Sequence, residues 1–139
     1  MFGASKEDRK SDACDLYKKA ANCFKLAEDK YQASDMYLKC AEMEENPAAK
    51  ANHFKEAAGQ FQGIDTQRYS ELMIQAMEHY AAGSRISQAA GVAKDCASKF
   101  EEEYAYEEAS KFYLKAHKFY DVDNTPTQSN SMLIKWADL

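Results

Sequence analysis

The sequence predicts an all-α fold: a right-handed solenoid of stacked antiparallel helix hairpins with about seven helices. Three observations predict it. A pattern of aromatic and small residues recurs three times, and a second pattern alternates with it. Proline and glycine fall between the copies rather than inside them.

The first pattern reads Tyr17-Lys18-Lys19-Ala20-Ala21-Asn22-Cys23-Phe24, then Phe54-Lys55-Glu56-Ala57-Ala58-Gly59-Gln60-Phe61, and more weakly Ala93-Lys94-Asp95-Cys96-Ala97-Ser98-Lys99-Phe100. The closing phenylalanines are 37 and 39 residues apart. The second pattern, Ala33-Ser34-Asp35-Met36-Tyr37-Leu38-Lys39, returns as Ala109-Ser110-Lys111-Phe112-Tyr113-Leu114-Lys115, with a degraded middle copy near Leu72-Met73-Ile74-Gln75. Tyr37 and Tyr113 are 76 residues apart, two periods of about 38. Two helix types per period make a TPR-like helical-hairpin repeat. Within a copy, Tyr17, Ala20, Ala21 and Phe24 stand at i, i+3, i+4 and i+7, one face of a helix. The alanines let neighbouring helices approach, and the rings fill the space beside them.

The elements follow in order. Helices are expected at about 11–28, 31–45, 47–62, 66–82, 85–103, 106–121 and 127–139. Residues 1–10 are expected as a flexible start and 11–139 as one helical-hairpin domain. Asn46-Pro47 reads as an N-cap and first helical residue. Gly63 ends that helix and Asp65 caps the next. Gly83-Ser84 breaks the chain before Arg85, and Thr125-Pro126 opens the last helix. The last helix lacks a following partner and a polar cap, as a fragment or a short form would.

Composition narrows the function. The chain has 139 residues, 45% hydrophobic and 29% charged, which suits a folded domain. Its net charge of −5 argues against nucleic acid as a partner. No run approaches the length of a membrane span, and the start does not read as a signal peptide. The cysteines Cys14, Cys23, Cys40 and Cys96 form no Cys-x-x-Cys pair and read as small hydrophobes in a reducing, cytoplasmic setting. His53, His79 and His117 are scattered and read as partly buried helix residues. Neither a metal nor another cofactor is expected. No catalytic constellation or phosphate-binding glycine loop is present, so the chain does not read as an enzyme. Glu101-Glu102-Glu103 reads as a solvated helix end.

Several stretches resemble one family. Asp15 to Ala27, with Tyr17, Ala20, Ala21, Asn22, Phe24 and Lys25, is similar to the early helix of the soluble NSF attachment protein (SNAP) family. Gln32 to Met43, Ala57 to Phe61, Gln75 to Tyr80, Gly83 to Ala90, Ser129 to Ser131 and Leu133 to Lys135 continue the resemblance in one register, nearer the α/β type than the γ type. The resemblance implies a non-enzymatic adaptor, peripheral to membranes. It would lay a basic face along the four-helix SNARE bundle and recruit the NSF-type AAA ATPase through a region mostly absent here. It implies contacts for Arg85, with Lys94 one turn beyond a family basic position that is Gly91 here, and for Lys135. A further family lysine aligns with Asp121. On the residues alone, Arg85 is equally readable as a solvated helix residue, and Lys94 and Lys135 are more readily read so. The family's membrane-dipping loop leaves Phe2 as a membrane-contact candidate, or as an ordinary disordered start. A generic TPR-type peptide-binding scaffold is the alternative.

Overall fold

The computed structural model describes residues 5–139. The fold is all-α and TPR-like, with seven helices and no strand among the described residues. The helices are α1 (Lys6–Leu26), α2 (Lys30–Met43), α3 (Pro47–Gly59), α4 (Thr66–Ala82), α5 (Ile86–Glu102), α6 (Tyr106–Val122) and α7 (Pro126–Ala137). They group into two compact units, divided between His79 and Tyr80.

Helix α1 starts at Lys6, earlier than the residue 11 that the repeat suggests. The cause is a capping box: the Ser5 hydroxyl accepts from Asp8 N at 3.0 Å, and the Asp8 carboxylate accepts from Ser5 N at 3.3 Å. Phe2 lies outside the described residues. Asn46 caps α3 through Ala49 N at 3.1 Å, with Pro47 at the first helical position. Asp65 caps α4 through Arg68 N at 3.1 Å, and Gly63 holds φ 73° in the preceding turn.

In the first unit α1 packs on α2, and α2 on α3. Ala21, Ala33, Ala57 and Ala58 are fully buried at the close approaches, with Phe61 among the largest side chains sealed from solvent. Tyr31 meets Phe61 edge-on at 5.2 Å, and the Arg68 guanidinium lies 5.5 Å from the Phe61 ring centre. Phe54 stacks on His79 at 5.0 Å.

In the second unit α5 packs on α6, and α6 on α7, each pair antiparallel. Tyr113, midway along α6, donates to Glu101 Oε2 at the end of α5 at 3.2 Å. Trp136, late on α7, donates to Ser110 Oγ, early on α6, at 2.7 Å. Glu101 is therefore not simply a solvated helix end. Burial pushes the Tyr113 hydroxyl pKa above its ordinary value, and the Glu101 charge adds to the rise.

The second repeat pattern is sharper in three dimensions than in sequence. Ala33, Tyr37 and Cys40 on α2 match Tyr69, Met73 and Ala76 on α4, then Ala109, Tyr113 and Ala116 on α6, and all nine are buried. Met73 takes the tyrosine's place in the degraded copy. Its unbranched side chain fills the same gap without a ring.

Four helices end in one motif. Glu28, Ser84, Tyr104 and Asn124 sit at φ between 56° and 62°. The N–H of the next residue donates back to an aromatic residue's carbonyl: Asp29 to Phe24, Arg85 to Tyr80, Ala105 to Phe100 and Thr125 to Tyr120, at 2.8 to 3.0 Å. This is the Schellman closure, made with non-glycine residues in the left-handed position.

Candidate functional site

The basic residues singled out from the sequence, Arg85, Lys94 and Lys135, all lie in the second unit and are exposed. Arg85 is the N-cap of α5 and makes no side-chain capping bond. Its guanidinium Nη1 donates to Gln88 Oε1 at 3.3 Å. The Schellman turn sets its backbone, so the side chain leaves the fold at the mouth of the α4–α5 turn.

Lys94 stands nine residues further on. At about 3.6 residues per turn this rotates it half a turn from Arg85, so the two side chains emerge on opposite flanks of α5. The inward face between them carries Ala89, Ala93, Cys96, Ala97 and Phe100. Gly91, on the solvent flank, is three residues before Lys94 and is its neighbour on the helix surface. A Cβ built at Gly91 would meet nothing within 4 Å. A lysine side chain from Lys94 can therefore reach across the space that Gly91 leaves.

Lys135 is in the last turn of α7. Antiparallel packing puts the start of α5, the end of α6 and the start of α7 at one end of this unit. Lys135 is at the other end, beside the Trp136–Ser110 hydrogen bond. The 17 residues of α5 span about 25 Å, so the three cations mark an extended surface rather than a point. Asp121 is exposed on the last turn of α6, at the Arg85 end. Nearby, burial raises the Tyr120 hydroxyl pKa, with Asp95 and Asp123 adding to the rise. Asp121 and Asp123 thus stand at the same end of the unit as Arg85. The structure thus brings the three residues into one unit but not into one stripe.

The first unit holds two further features. An apolar groove of about 260 Å³ runs between Leu38, Phe54, Leu72 and His79. Elsewhere, Cys14, Cys40 and His53 meet, all buried, with their ligand atoms within 4.8 Å of one another. Cys14 Sγ is 3.8 Å from His53 Nε2, and the Cys40 thiol donates to the Cys14 carbonyl at 3.2 Å. Glu44 Oε1 is 3.4 Å from the same His53 nitrogen. Burial first, and then the neighbouring Cys14, push the Cys40 thiol pKa up to about 12. Sequence spacing does not reveal this cluster, because its members come from three helices. The only local signal is that each falls on the inward face of its helix.

A family model described as soluble NSF attachment protein, SNAP, matches residues 1–139. The chain belongs to the SNAP family. It is 28% identical over 140 residues to the alpha-soluble NSF attachment protein of Vitis vinifera, covering 99% of this chain and 47% of that protein. The Homo sapiens alpha-soluble NSF attachment protein is 27% identical over 141 residues, with 99% and 47% covered. A probable vesicular-fusion protein sec17 homolog of Neurospora crassa is 27% identical over 144 residues, with 100% and 49% covered. The chain spans about half the length of the curated relatives it matches. The SNAP-like stretch from Tyr17 to Phe24 lies on α1, where Ala21 is fully buried and Tyr17 and Phe24 are half-buried. No helix among the described residues is long and apolar enough to cross a membrane.

Proposed function

We propose that this SNAP-family chain is a non-enzymatic adaptor. It binds SNARE complexes and links them to the NSF-type ATPase for disassembly, in vesicle fusion and intracellular transport, as a cytoplasmic protein held peripherally at membranes. The observation that carries this reading is the family match across residues 1–139. Rigid hairpins support it, because they hold widely spaced cations at fixed separations along an elongated partner. In this proposal Arg85 makes the principal contact, Lys94 serves the place left by Gly91, and Lys135 engages further along the bundle. Asp121, where the resemblance places a lysine, weakens that end, so this chain binds less tightly than a family member with a continuous basic stripe. Phe2 adds a weak membrane contact, since one aromatic side chain gives marginal affinity for a bilayer.

Co-sedimentation with an assembled SNARE four-helix bundle tests the proposal. The expected result is retention at low salt that fades as salt is added, as screened charge contacts require. No retention at micromolar concentration and low salt contradicts it.

A further inference from the structure

We propose that Cys14, Cys40 and His53 form a zinc site that staples the first three helices, with Glu44, which stands beside His53, swinging in as the fourth ligand. The inference rests on geometry within the first unit and is independent of the SNARE-binding proposal.

Zinc takes thiolate, imidazole and carboxylate donors in a tetrahedron, with Zn–S about 2.3 Å and Zn–N and Zn–O about 2.0 to 2.2 Å. Those bond lengths put the sulfur–nitrogen edge at about 3.6 Å and the nitrogen–oxygen edge at about 3.4 Å. The observed edges are 3.8 Å from Cys14 Sγ to His53 Nε2 and 3.4 Å from His53 Nε2 to Glu44 Oε1. Cys40 joins them, and the donor atoms of Cys14, Cys40 and His53 all lie within 4.8 Å of one another, while Glu44 approaches from the His53 side. Two thiolates and an imidazole select a soft or borderline ion, and a carboxylate beside them favours divalent zinc over monovalent copper.

The surroundings support an occupied site. Cys14, Cys40 and His53 are buried, yet a groove of about 320 Å³ reaches Cys14 and Glu44 from the surface. The Lys10–Glu45 ion pair, at 2.9 Å, stands on its wall. An ion therefore has an entry path to donors that are otherwise shielded. The donors come from α1, α2 and α3, with Glu44 just after α2, so binding cross-links a hairpin to the next helix. With Glu44 turned in from its place beside His53 as the fourth ligand, no position stays open, which makes the site structural rather than catalytic. Binding breaks two S–H bonds and forms two Zn–S bonds. The two protons leave to solvent, and His53 binds through Nε2 with its proton on Nδ1. The Cys40 hydrogen bond to the Cys14 carbonyl is given up in the process.

The test uses the full chain, freed of metal by a chelator and kept in a non-thiol reductant. Cobalt(II) is titrated as the probe. The expected result is saturation at one equivalent, with thiolate-to-cobalt charge transfer and tetrahedral d–d absorption, both abolished by one equivalent of zinc. Cys14→Ser, Cys40→Ser and His53→Gln each weaken binding about tenfold or more, whereas Cys23→Ser leaves it unchanged. Should the cluster variants not fold, the Cys23→Ser/Cys96→Ser double variant retains Cys14 and Cys40 as its thiols. A one-equivalent thiolate spectrum from that variant supports the site, and its absence overturns the proposal. A cobalt spectrum without thiolate charge transfer in the unmodified chain, or one lost on Cys23→Ser alone, also overturns it.

Discussion

The backbone N–H of Arg85 donates to the carbonyl of Tyr80 at 2.8 Å, across a Ser84 held at φ 62°. The turn that positions the foremost candidate contact residue is thus closed around a non-glycine residue in the left-handed region. That conformation costs an L-residue with a Cβ about 1 kcal/mol or more. Ser84→Gly is therefore expected to stabilise the protein by about 0.5–1 kcal/mol, raising the melting temperature by about 3 °C. Thermal unfolding followed by circular dichroism checks this. A lowered melting temperature would mean that the serine side chain contributes something the turn geometry does not explain.

The alanines at the helix approaches predict an overpacking response. Ala21 and Ala58 are 0% exposed. Ala21→Leu and Ala58→Leu are each expected to cost about 1–3 kcal/mol, because the added atoms force the helices apart. Phe61 is equally sealed, so Phe61→Ala is expected to cost about 3–5 kcal/mol. Phe24, which ends the matching pattern on α1, is only half-buried, and its loss is expected to cost clearly less than that of Phe61. Urea unfolding of the four variants separates these outcomes. Equal costs for Phe24→Ala and Phe61→Ala would contradict the burial pattern.

His79 predicts a pH response of definite sign. Burial, and then the nearby Lys50 charge, lower its pKa below the ordinary 6.5 in the folded protein, while Glu78 opposes them. Between the folded and unfolded values the unfolded chain binds more protons, so acid favours unfolding. The contribution is intact above about 6.5 and is lost as the pH falls through the lower folded value. His79→Gln removes this proton uptake. The difference in stability between the two proteins is expected to change on going from pH 7.5 to 5 in favour of the variant. A pH-independent difference would contradict the assignment.

Gly91 offers a gain rather than a loss. It lies mid-helix on α5, and a Cβ there would meet nothing within 4 Å. Gly91→Lys is expected to stabilise the helix by up to about 1 kcal/mol, since glycine is a poor helix former. The same change adds a cation beside Lys94, and tighter binding to the SNARE bundle at low salt is the expected outcome. Unfolding curves and a binding titration read the two effects separately. Stabilisation without tighter binding would place this flank of α5 outside the contact.

Much of the fold was legible, because local chemistry and the repeat agree. Asn46-Pro47, Asp65 and Gly63 each do in the structure what residues of their kind do at helix ends. The α4–α5 break was legible too, but the left-handed residue is Ser84 rather than Gly83, since the Schellman bonds fix the position by counting from Tyr80. The early start of α1 was missed because Ser5 and Asp8 form a capping box outside the repeat. At the candidate site, the exposure of Arg85, Lys94 and Lys135 follows from their places on polar faces. Their spread over two flanks and two ends does not, because it depends on helix phase and on antiparallel packing. Cys14, Cys40 and His53 were unreadable as a group, because separations of 26 and 39 residues close only when three helices pack.

The adaptor role is tested most directly by titrating the intact chain against an assembled SNARE four-helix bundle, alongside Arg85→Glu and an Arg85→Glu/Lys135→Glu double variant. The account predicts micromolar binding at low salt that weakens with added salt, about tenfold weaker for the single reversal and weaker again for the double. Absence of binding, or binding indifferent to salt and to both charge reversals, would contradict it.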